Sequence, residues 1–588
     1  MKKININNLD VSADDGMTIL EAAKQIGVDI PTLCFLKGVN EIGSCRVCLV
    51  EVEGLEPLVP ACNTEVEEGM IIRTNTPRVR AARRMNAQMI LSEHNDRCPT
   101  CERSGNCSLQ SIANDLSIFD SPFKTHFVHG VWNEDLPLIR DESRCIKCMR
   151  CISFCEKIQN LGIWDVVNTG KRITVGVKDR KSFERSDCSL CGQCITHCPV
   201  GALHERDDTQ KAFALLADPD IITVAQIAPA VRVAWGDMFG KDREYATVKR
   251  LVAGLRKLGF DYIFDTNFSA DLTIMEEGSE LIERITHRDE YRWPMFTSCC
   301  PGWVRFVKAK YPELTDNLST AKSPQQMFGA VTKSWFAQKI GVAPEKIRCI
   351  SIMPCVAKKH ECAIPTLHDA CGDSDVDIVL TTREVNRLLK ADYINVDVLP
   401  EEEFDSPLGE GTGAAVIFGT QGGVMEAALR SAYFLIKGEN APADAFSDVR
   451  VAEDAWTEAT FEVDDIPVRV AIASGLENTD KLITHIRKGR GEYDFVEIMA
   501  CPGGCSGGGG QPFWDGKELA RDRGKQLHAL DEKSKVRYSH ENSAIKRIYD
   551  EFFGKPLSEK AHHLLHTDHH GWEFEDLTYV NDSRSDIE

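Results

Sequence analysis

The sequence predicts a multidomain protein that combines α+β modules in its first third with an α/β domain in its C-terminal half. Three observations support this fold class. The 588 residues exceed the size of one domain several times, since domains usually have about 100–200 residues. Twenty-three cysteines lie mostly in closely spaced runs before residue 200. Beyond residue 210, short apolar runs alternate with amphipathic segments, which is typical of α/β folds.

The composition is typical of a folded, soluble protein, with 43% hydrophobic and 27% charged residues. A net charge of −21 argues against nucleic-acid binding, which needs clustered Lys and Arg. No apolar run approaches the length of about 18 residues that a membrane-spanning helix needs, and the first residues lack the apolar stretch of a signal peptide. Cysteines in C-x-x-C runs without secretory features indicate metal ligands in a reducing compartment. We therefore expect a cytoplasmic protein.

Residues 1–80 are expected to form a β-grasp, ferredoxin-like domain. Short strands around Ile4 and Val11 precede a capping box, Thr18–Glu21, that starts a helix. The central C-x-x-C of this domain resembles the plant-type ferredoxin scheme without its C-x4-C run. The alternative is a zinc ribbon, which usually pairs two C-x-x-C knuckles where this domain has one. We predict a [2Fe-2S] cluster held by Cys34, Cys45, Cys48 and Cys62.

Within residues 81–126, His94 and three cysteines are too close in sequence to be held apart by a fold, so they should share one metal centre. The pattern resembles the His/Cys3 four-iron site in the large subunit of respiratory complex I. A histidine in place of a thiolate removes a negative charge and should raise the cluster potential. Arginines between Ile71 and Arg84 are expected to form solvated surface. The predicted [4Fe-4S] ligands are His94, Cys98, Cys101 and Cys107.

Residues 127–209 contain an internal repeat. Each copy has the spacing C-x2-C-x2-C-x3-C, the signature of two-cluster bacterial ferredoxins, although Glu156 replaces the proline that usually follows the first copy. In that scheme the fourth cysteine of each copy crosses to the other cluster. We predict two [4Fe-4S] clusters, one held by Cys145, Cys148, Cys151 and Cys198 and the other by Cys155, Cys188, Cys191 and Cys194.

Residues 210–555 form the predicted α/β domain, in which five strand-like runs each end in a loop with small residues or cysteine. The runs are IITVAQ, PMF, CISIM, AVIF and FVEIM, which precede Ala228, Thr297, Pro354, Gly419 and Ala500. In open parallel sheets, ligands bind beyond the carboxyl ends of the strands. We therefore expect these loops to line one cavity.

Four cysteines come from three of these loops, namely Cys300, Cys355, Cys501 and Cys505. Glycines at 503–504 and 507–510 surround the last of them, and glycine permits close approach of the backbone. A flexible linker is the alternative. The flanking strand, the cysteines and Gln511-Pro512 argue against that alternative.

Three segments resemble the signature motifs of the iron-only ([FeFe]) hydrogenases. They are Phe296–Trp303, Met353–Lys359 and Glu497–Cys505, and the likeness extends over about residues 1–566. The family implies reversible oxidation of dihydrogen to protons and electrons in a two-lobed H-cluster domain. The H-cluster is a [4Fe-4S] cubane joined through one cysteine sulfur to a di-iron unit with CO, cyanide and a bridging dithiolate amine. By motif position Cys300, Cys355, Cys501 and Cys505 hold the cubane, with Cys505 as the bridging ligand.

The resemblance also implies roles for residues around the H-cluster. Lys358 is a donor to cyanide, and Cys299 carries protons, although a free cysteine is equally often a small buried apolar residue. Four further residues resemble the family's proton path, namely Glu277, Glu280, Ser319 and Arg284. Without the resemblance, the two glutamates would be a solvated helix face. Positions that pack or hydrogen-bond around the di-iron unit are Pro229, Ala230, Pro324, Gln325, Met353 and Met499.

Two electron partners fit the sequence. A hydrogenase of this type works alone with ferredoxin, or as the catalytic subunit of a flavin- and NAD-linked, electron-bifurcating complex. No G-x-G-x-x-G after a strand and no G-x-x-x-x-G-K-[ST] occurs, so NAD would need a partner subunit. Maturation proteins would supply the di-iron unit. A complex I subunit does not explain the C-terminal motifs, and non-catalytic assembly or sensory relatives tend to lack the relay cysteine or to add a sensor domain.

Two further features depart from the expected pattern or lie outside it. Pro502 stands where the clostridial form commonly has histidine. Residues 556–588 are expected to form a tail that acts as a surface strap or a docking segment, with Trp572, Phe574 and Tyr579 among acidic residues. Five histidines of the tail could bind zinc, although a helix end is the favoured interpretation. They are His562, His563, His566, His569 and His570.

Overall fold

The computed structural model describes residues 1–127, 129–450, 455–463 and 466–573. Within these ranges, no helix is both long enough and apolar enough to cross a bilayer. The first domain contains β1 (Lys2–Ile6), β2 (Leu9–Ala13), α1 (Ile19–Gln25), β3 (Leu49–Val52), β4 (Val59–Pro60) and β5 (Ile71–Arg73). Its strands form one mixed sheet in the order β2-β1-β5-β3-β4, and Thr18 and Glu21 form the expected capping box of α1. The domain is thus the predicted β-grasp fold.

Two helices, α2 (Pro77–Ser92) and α3 (Ser108–Asp115), enclose the next cysteine-rich segment. Thr76 caps α2, and a proline opens the helix, as expected at an N-terminus. The expectation that these arginines form solvated surface is wrong for Arg83. Its side chain is buried, and its guanidinium donates to the carbonyl of Leu49 at 2.7 Å. That contact fixes α2 to the β-grasp domain.

The ferredoxin-like module has two short antiparallel ribbons and two short helices. Strand β6 pairs with β9, and β7 pairs with β8. Each helix starts directly after a left-handed residue, Met149 or Gly192. The elements are β6 (Leu138–Arg140), α4 (Arg150–Lys157), β7 (Trp164–Val167), β8 (Thr174–Val177), α5 (Gln193–Thr196) and β9 (Leu203–Glu205).

The C-terminal domain has two lobes, each built on a four-stranded sheet, as expected. The sheet of the first lobe is fully parallel, with the order β11-β10-β13-β14. The elements of this lobe are α6 (Thr209–Leu216), β10 (Ile222–Ile227), α7 (Val248–Leu258), β11 (Tyr262–Asp265), α8 (Thr266–Thr286), α10 (Pro324–Val331), α11 (Ala337–Ile340), β13 (Ile347–Met353), α12 (Lys358–Glu361), β14 (Ile378–Thr381) and α13 (Thr382–Ala391).

The second lobe has the strand order β12-β17-β16-β15, with only the β15–β16 pair antiparallel. The remaining elements of the domain are β12 (Met295–Phe296), α9 (Pro301–Lys310), α14 (Gly413–Val416), α15 (Gly423–Lys437), β15 (Trp456–Val463), β16 (Ile466–Ser474), α16 (Leu476–Arg487), β17 (Phe495–Met499), α17 (Ala520–Lys533), α18 (Ser543–Ile548) and α19 (Glu559–Leu565).

One predicted strand is wrong. The AVIF run lies in α14 and in the turn of 3-10 helix that follows it, Ile417–Gly419. The hydroxyl of Thr412 caps the helix by accepting a hydrogen bond from the N–H of Ala415. A short apolar run fits a buried helix as well as a buried strand, and here the cap favours the helix.

The described part of the predicted tail is packed against the catalytic domain. Ala561, Leu564 and Leu565 of α19 are buried in the core of the first lobe, and Trp572 is buried against the second. Residues 559–572 are therefore not the surface strap that the sequence suggested. Phe574, Tyr579 and the acidic residues after them lie outside the described residues.

Candidate active site and relay sites

The four cysteines of the β-grasp domain converge as two pairs. The thiols of Cys34 and Cys45 interact directly, as do those of Cys48 and Cys62. Cys45 also lies close enough to Cys48 to influence its pKa. Two adjacent pairs of thiolates fit two iron ions with two protein ligands each, as in a [2Fe-2S] cluster.

The next predicted ligand, His94, is buried directly after α2. Its Nδ1 lies 3.0 Å from the carbonyl oxygen of Arg144. Because a carbonyl only accepts, Nδ1 carries the proton and Nε2 keeps the lone pair that a metal needs. Burial lowers the pKa of His94, which favours this neutral form. The thiols of Cys98 and Cys107 both lie within electrostatic reach of Cys101.

The ferredoxin repeat shows the predicted crossover. A cavity is lined by three cysteines of the first copy and by Cys198 of the second copy. In return, Cys155 of the first copy interacts with Cys188 and Cys191. Burial raises the pKa of the thiols of Cys148, Cys155 and Cys188. Buried thiols that must be deprotonated need metal cations to balance their charge.

The spacing of the ligand atoms argues against zinc at these sites. In a tetrahedral zinc site the sulfur atoms lie about 4 Å apart, because each Zn–S bond is about 2.3 Å. Among the described residues, only Glu426, Asp444 and Asp531 place three possible ligand atoms within 4.8 Å of one another. These acids are instead paired with arginines such as Arg430 and Arg450. None of the cysteines or tail histidines in the described ranges belongs to such a set, and iron–sulfur clusters remain the prediction for the cysteines.

Contacts between the modules define the order of the relay sites. Asn40 donates from Nδ2 to the carbonyls of Cys34 at 2.7 Å and Cys148 at 3.0 Å, which joins the β-grasp site to the first ferredoxin-like site. The N–H of Ser108, next to Cys107, donates to the carbonyl of Pro199, next to Cys198. This contact joins the His/Cys3 site to the first ferredoxin-like site as well. The other ferredoxin-like site adjoins the catalytic domain, where Cys191 lies beside Cys501. Both outer sites therefore adjoin the first ferredoxin-like site, and the second ferredoxin-like site adjoins the catalytic domain.

The four predicted cubane ligands meet between the two lobes. Cys300 precedes α9, Cys355 follows β13, and Cys501 follows β17. Burial raises the pKa of Cys355, and the nearby thiols of Cys300 and Cys505 raise it further. Burial likewise raises the pKa of Cys501, with Cys191 and Cys355 adding to the effect. Crowded, buried thiols of this kind fit a multinuclear iron site rather than a set of free cysteines.

The glycine run packs against the backbone beside these ligands and is not a linker. A side chain at Gly508 would place its Cβ 2.1 Å from the carbonyl oxygen of Pro354. A side chain at Gly509 would place its Cβ 2.3 Å from that of Cys191. Only glycine permits backbone approach this close, so the run joins Cys505 to both the first lobe and the nearest relay site.

Lys358 is buried at the same site with a charge partner of its own. Its ammonium donates to the carbonyl of Cys299 at 3.1 Å and to the carboxylate of Glu361 at 2.9 Å. Burial would lower the pKa of Lys358, but the carboxylate of Glu361 reverses the effect and raises it. Gln325 donates to Glu361 at 3.0 Å and accepts from Ser351 at 2.9 Å, which fixes the carboxylate.

The other residues that the family places around the di-iron unit all stand at the ends of elements. Met353 and Met499 are the last residues of β13 and β17, and both are buried. The carbonyl of Ala230 accepts from Gln511, just after the glycine run. Pro229 and Ala230 follow β10, and Pro324 and Gln325 open α10.

The predicted proton-path residues lie together and are buried, so the glutamates do not form a solvated face. Helix α8 presents Glu277 and Glu280 on one side. The carboxylate of Glu280 accepts from the hydroxyl of Ser319 at 2.8 Å and from Arg284 at 2.6 Å. Glu277 lies near the thiol of Cys299. Its carboxyl group faces the hydroxyl of Ser319 and the backbone N–H of Ser298.

Family models match the chain along most of its length. "Iron only hydrogenase large subunit, C-terminal domain" matches residues 221–509, and "Iron hydrogenase small subunit" matches 517–572. The N-terminal modules match "2Fe-2S iron-sulfur cluster binding domain" over residues 2–77, "NADH-ubiquinone oxidoreductase-G iron-sulfur binding region" over 83–122, and "NADH-quinone oxidoreductase subunit 3, ferredoxin-like domain" over 137–204.

Individual relatives decide the family. The chain is 44% identical to "NADP-reducing hydrogenase subunit HndD" of Solidesulfovibrio fructosivorans, over 96% of this chain and 98% of the relative. This chain is an [FeFe]-hydrogenase. It is also 38% identical to "Iron hydrogenase 1" of Clostridium pasteurianum, over 96% and 99% of the two chains. A solved variant of [FeFe]-hydrogenase HydA1 from Chlamydomonas reinhardtii has 43% identity and a TM-score of 0.55, covering 61% of this chain and 98% of that chain.

The hydrogenase therefore catalyses reversible oxidation of dihydrogen with iron–sulfur clusters of the two-iron and four-iron types and an H-cluster. When bound, the H-cluster supplies an open iron position that polarises dihydrogen as a Lewis acid. The residues of this chain orient that group, exclude water and move protons. The crowded cysteines, the glycine contacts and the paired Lys358 all fit such a group between the lobes.

Proton transfer in the hydrogenase requires a group that holds a proton at neutral pH and releases it readily. Burial raises the pKa of Glu277 to about 8, and the neighbouring carboxylate of Glu280 adds to the shift. Glu277 is therefore a neutral acid near Cys299. Glu280, which Ser319 and Arg284 hold by hydrogen bonds, stays a predicted group of the same path.

Sequence reasoning missed the residues around the outer end of this path. The N–H of Thr320 donates to Glu280 at 3.1 Å, and its hydroxyl bonds Nδ1 of His566 at 2.8 Å. A surface cleft of about 430 Å³ is lined by Arg284, Thr320, His566 and further tail histidines. The histidine-rich stretch is visible in the sequence. Its place at this path depends on the packing of α19 against α10, which has no local signal.

The protonation of Glu277 gives a testable pH dependence for the hydrogenase. Because the pKa is raised to about 8, the carboxyl C=O stretch in infrared spectra should persist at neutral pH and disappear as the pH rises through about 8. Hydrogen evolution should slow over the same range. The Glu277→Gln variant should lack this titration. The Glu497→Gln variant is the control: the pKa of Glu497 is also raised, to about 7, and its loss should leave the titration near pH 8 in place. A carboxylate already ionised at pH 6 would contradict the assignment.

Proposed function

We propose that this hydrogenase is the hydrogen-activating subunit of an NAD(P)-linked complex and exchanges electrons with a flavin- and nucleotide-binding partner. The observation that carries the proposal is the match to "NADP-reducing hydrogenase subunit HndD", which extends through all the relay modules as well as the catalytic domain. Neither G-x-G-x-x-G after a strand nor G-x-x-x-x-G-K-[ST] occurs in the sequence, and we propose that a partner binds the nucleotide. Electron bifurcation with ferredoxin as a further partner is compatible with two relay inputs that converge on one exit.

Ferredoxin as the sole partner is the second candidate. The relative "Iron hydrogenase 1" aligns over the same modules at 38% identity, and its name mentions no nucleotide. The arginines near α2 give this candidate little support. Arg83 is buried, and Arg84 is used in hydrogen bonds to the carbonyls of Leu116 and Ser117. Only part of the predicted basic surface is therefore free to meet an acidic ferredoxin.

An exposed apolar patch on the His/Cys3 module supports a stable protein partner. Met85 and Met89 lie one turn apart on α2 and are 56% and 45% exposed. Gln88 of the same helix bonds the carbonyl of Asp120, which holds the loop that carries Phe119, 89% exposed, beside them. Exposed apolar patches on soluble proteins commonly mark interaction sites. We assign this patch to the flavin-binding partner, because α2 ends just before His94.

We further propose five iron–sulfur groups per chain, with the ligands predicted from the sequence. They are one [2Fe-2S] cluster, three [4Fe-4S] relay clusters and the H-cluster. The paired thiols of the β-grasp domain and the crossover of the ferredoxin repeat support these sets. None of the 23 cysteines is paired in a disulfide, which suits a reducing compartment, and we propose the cytoplasm. Maturation proteins would deliver the di-iron unit.

Iron analysis and spectroscopy of the matured chain should confirm this complement. We expect EPR signals from four relay clusters and infrared bands from CO and cyanide. Changing Cys62 to Ala should remove only the two-iron signal, since its neighbours in the β-grasp domain serve no other site. Retention of that signal in the Cys62→Ala protein would show that the ligand set is wrong.

Anaerobic purification of the native protein tests the partner. Co-purifying flavoprotein subunits and hydrogen-dependent reduction of NAD or NADP would support the complex. A lone 65.6 kDa chain that exchanges electrons with ferredoxin would overturn it. In the complex, Met89→Glu should weaken subunit association without changing hydrogen turnover with an artificial dye. Lys124→Glu, an exposed change in the same module, serves as the control.

A further inference from the structure

A buried arginine lies between two relay sites and has no acceptor in the protein. Arg103 is 6% exposed, and none of its three guanidinium nitrogens has a hydrogen-bond partner among the residues that the structure describes. A buried guanidinium without acceptors is costly, because it has lost its hydration and gained no partner. Some group other than a protein oxygen must therefore balance this charge.

The surroundings of Arg103 identify the missing partner by its chemistry. The guanidinium lies within electrostatic reach of the thiols of Cys107 and Cys198. Cys107 belongs to the predicted His/Cys3 site, and Cys198 belongs to the first ferredoxin-like site. The carboxylate of Asp515 also lies within electrostatic reach of Arg103. It already accepts a hydrogen bond from the hydroxyl of Ser108 at 2.5 Å and forms an ion pair with Arg150. Anionic sulfur at the two cluster sites is then the acceptor that remains.

The position of Arg103 is fixed by packing. Its Cζ lies 4.3 Å from the ring centre of Phe513, and Arg383 lies 5.2 Å from that ring. The aromatic ring therefore holds the guanidinium through a cation–π contact. Gly201 closes the other side, since a Cβ there would lie 2.6 Å from Sγ of Cys101 and 3.6 Å from Cγ of Arg103. The two cluster sites are thus in contact around this side chain.

We propose that Arg103 is a positioning residue that sets the reduction potentials of these two clusters. The inference rests on the ligand sets of the proposed function. Each one-electron reduction makes a cluster more negative by one charge, so a fixed, unscreened cation favours the reduced state. Arg103 therefore raises both potentials together. Electrons from the His/Cys3 cluster and from the two-iron cluster meet at the first ferredoxin-like cluster, which is one of the two that Arg103 stabilises.

Redox titration of the four relay EPR signals tests this inference in the full, matured chain. In Arg103→Gln, two signals should shift to more negative potentials, and the other two should not move. Arg103→Lys should give a smaller shift, because the charge is kept while the planar fork is lost. Arg97→Gln is the matched control, since Arg97 is exposed beside Cys98 and solvent and salt screen its charge.

Failure of the ligand assignment can be told apart from failure of the inference. Missing relay signals in the wild-type protein would contradict the proposed clusters themselves. Four intact signals with unchanged potentials in Arg103→Gln would overturn the role of Arg103. If that variant does not fold, Arg103→Lys provides the test. The same two signals should shift to more negative potentials by a smaller amount, and unchanged potentials in this variant would also overturn the inference.

Discussion

The Cys299→Ala variant should lose hydrogen turnover by about 10²–10⁴-fold, the usual contribution of a positioned proton-transfer group. The thiol lies beside the neutral acid Glu277, and alanine offers no group that can carry a proton across this position. The backbone carbonyl of residue 299, which accepts from Lys358, remains in the variant. The clusters should therefore assemble normally, with unchanged CO and cyanide infrared bands.

The matched control for this change is Cys371→Ala, which removes a half-buried thiol outside all five ligand sets. Its turnover should equal that of the wild type. Hydrogen uptake with a dye and isotope exchange between dihydrogen and water should both be measured, since both need protons to cross residue 299. Wild-type rates for Cys299→Ala would show that protons reach the active site by another route.

The Lys359→Met variant should lose about 3–5 kcal/mol of stability, the usual cost of breaking a buried ion pair by removing one partner. The ammonium is fully buried and donates to Asp208 at 2.7 Å, Glu384 at 2.9 Å and the carbonyl of Val379 at 2.7 Å. Methionine fills similar volume but leaves two carboxylates facing each other inside the protein. Asp208 lies at the end of the ferredoxin-like module, just before α6, and Glu384 lies in α13 of the catalytic domain. We therefore expect the contact between these two parts of the chain to weaken first.

Denaturant unfolding of the wild type and of two variants would measure this effect. The control is Lys339→Met, because the pair of Lys339 with Glu551 is 41% and 42% exposed and should contribute less than about 1 kcal/mol. Burial would raise the pKa of Asp208, but Lys359 and Arg206 lower it. The stabilisation is therefore complete above the unfolded value of 3.8 and is lost as the pH falls further. Equal losses in both variants would contradict the buried-pair argument.

The sequence predicted features whose ligands or patterns are local. The spacing within each copy of the ferredoxin repeat matched the two-cluster bacterial scheme, in which the fourth cysteine crosses to the other cluster. The capping box at Thr18 predicted α1 from a local pattern as well. The AVIF run was misassigned because its length and apolar character fit both a helix and a strand. The capping residue Thr412 indicates a helix, but in the sequence it is a weaker signal than the apolar run, which suggested a strand.

Features that depend on contacts distant in sequence could not be predicted in this way. Glu277 and Glu280 have helical spacing that fits a solvated face, and only the packing of α8 against its neighbours makes them buried. Glu361 was overlooked as the partner of Lys358 because an i,i+3 pair is usually a surface feature. Arg103 was overlooked because its partner sites come from separate modules. Burial, unlike spacing, is a property of the whole fold.

The backbone contacts of the glycine run also bear on how the enzyme is made. Synthesis proceeds from the N-terminus at about 5–20 residues per second, and domains commonly fold as they emerge. Cys191 and Pro354 are therefore in place long before Gly508 and Gly509 leave the ribosome and close over them. Cys505, the predicted bridging ligand, arrives with that last segment. If Cys505 bridges the two parts of the H-cluster, we expect the di-iron unit to be bound only after nearly the whole chain has been made.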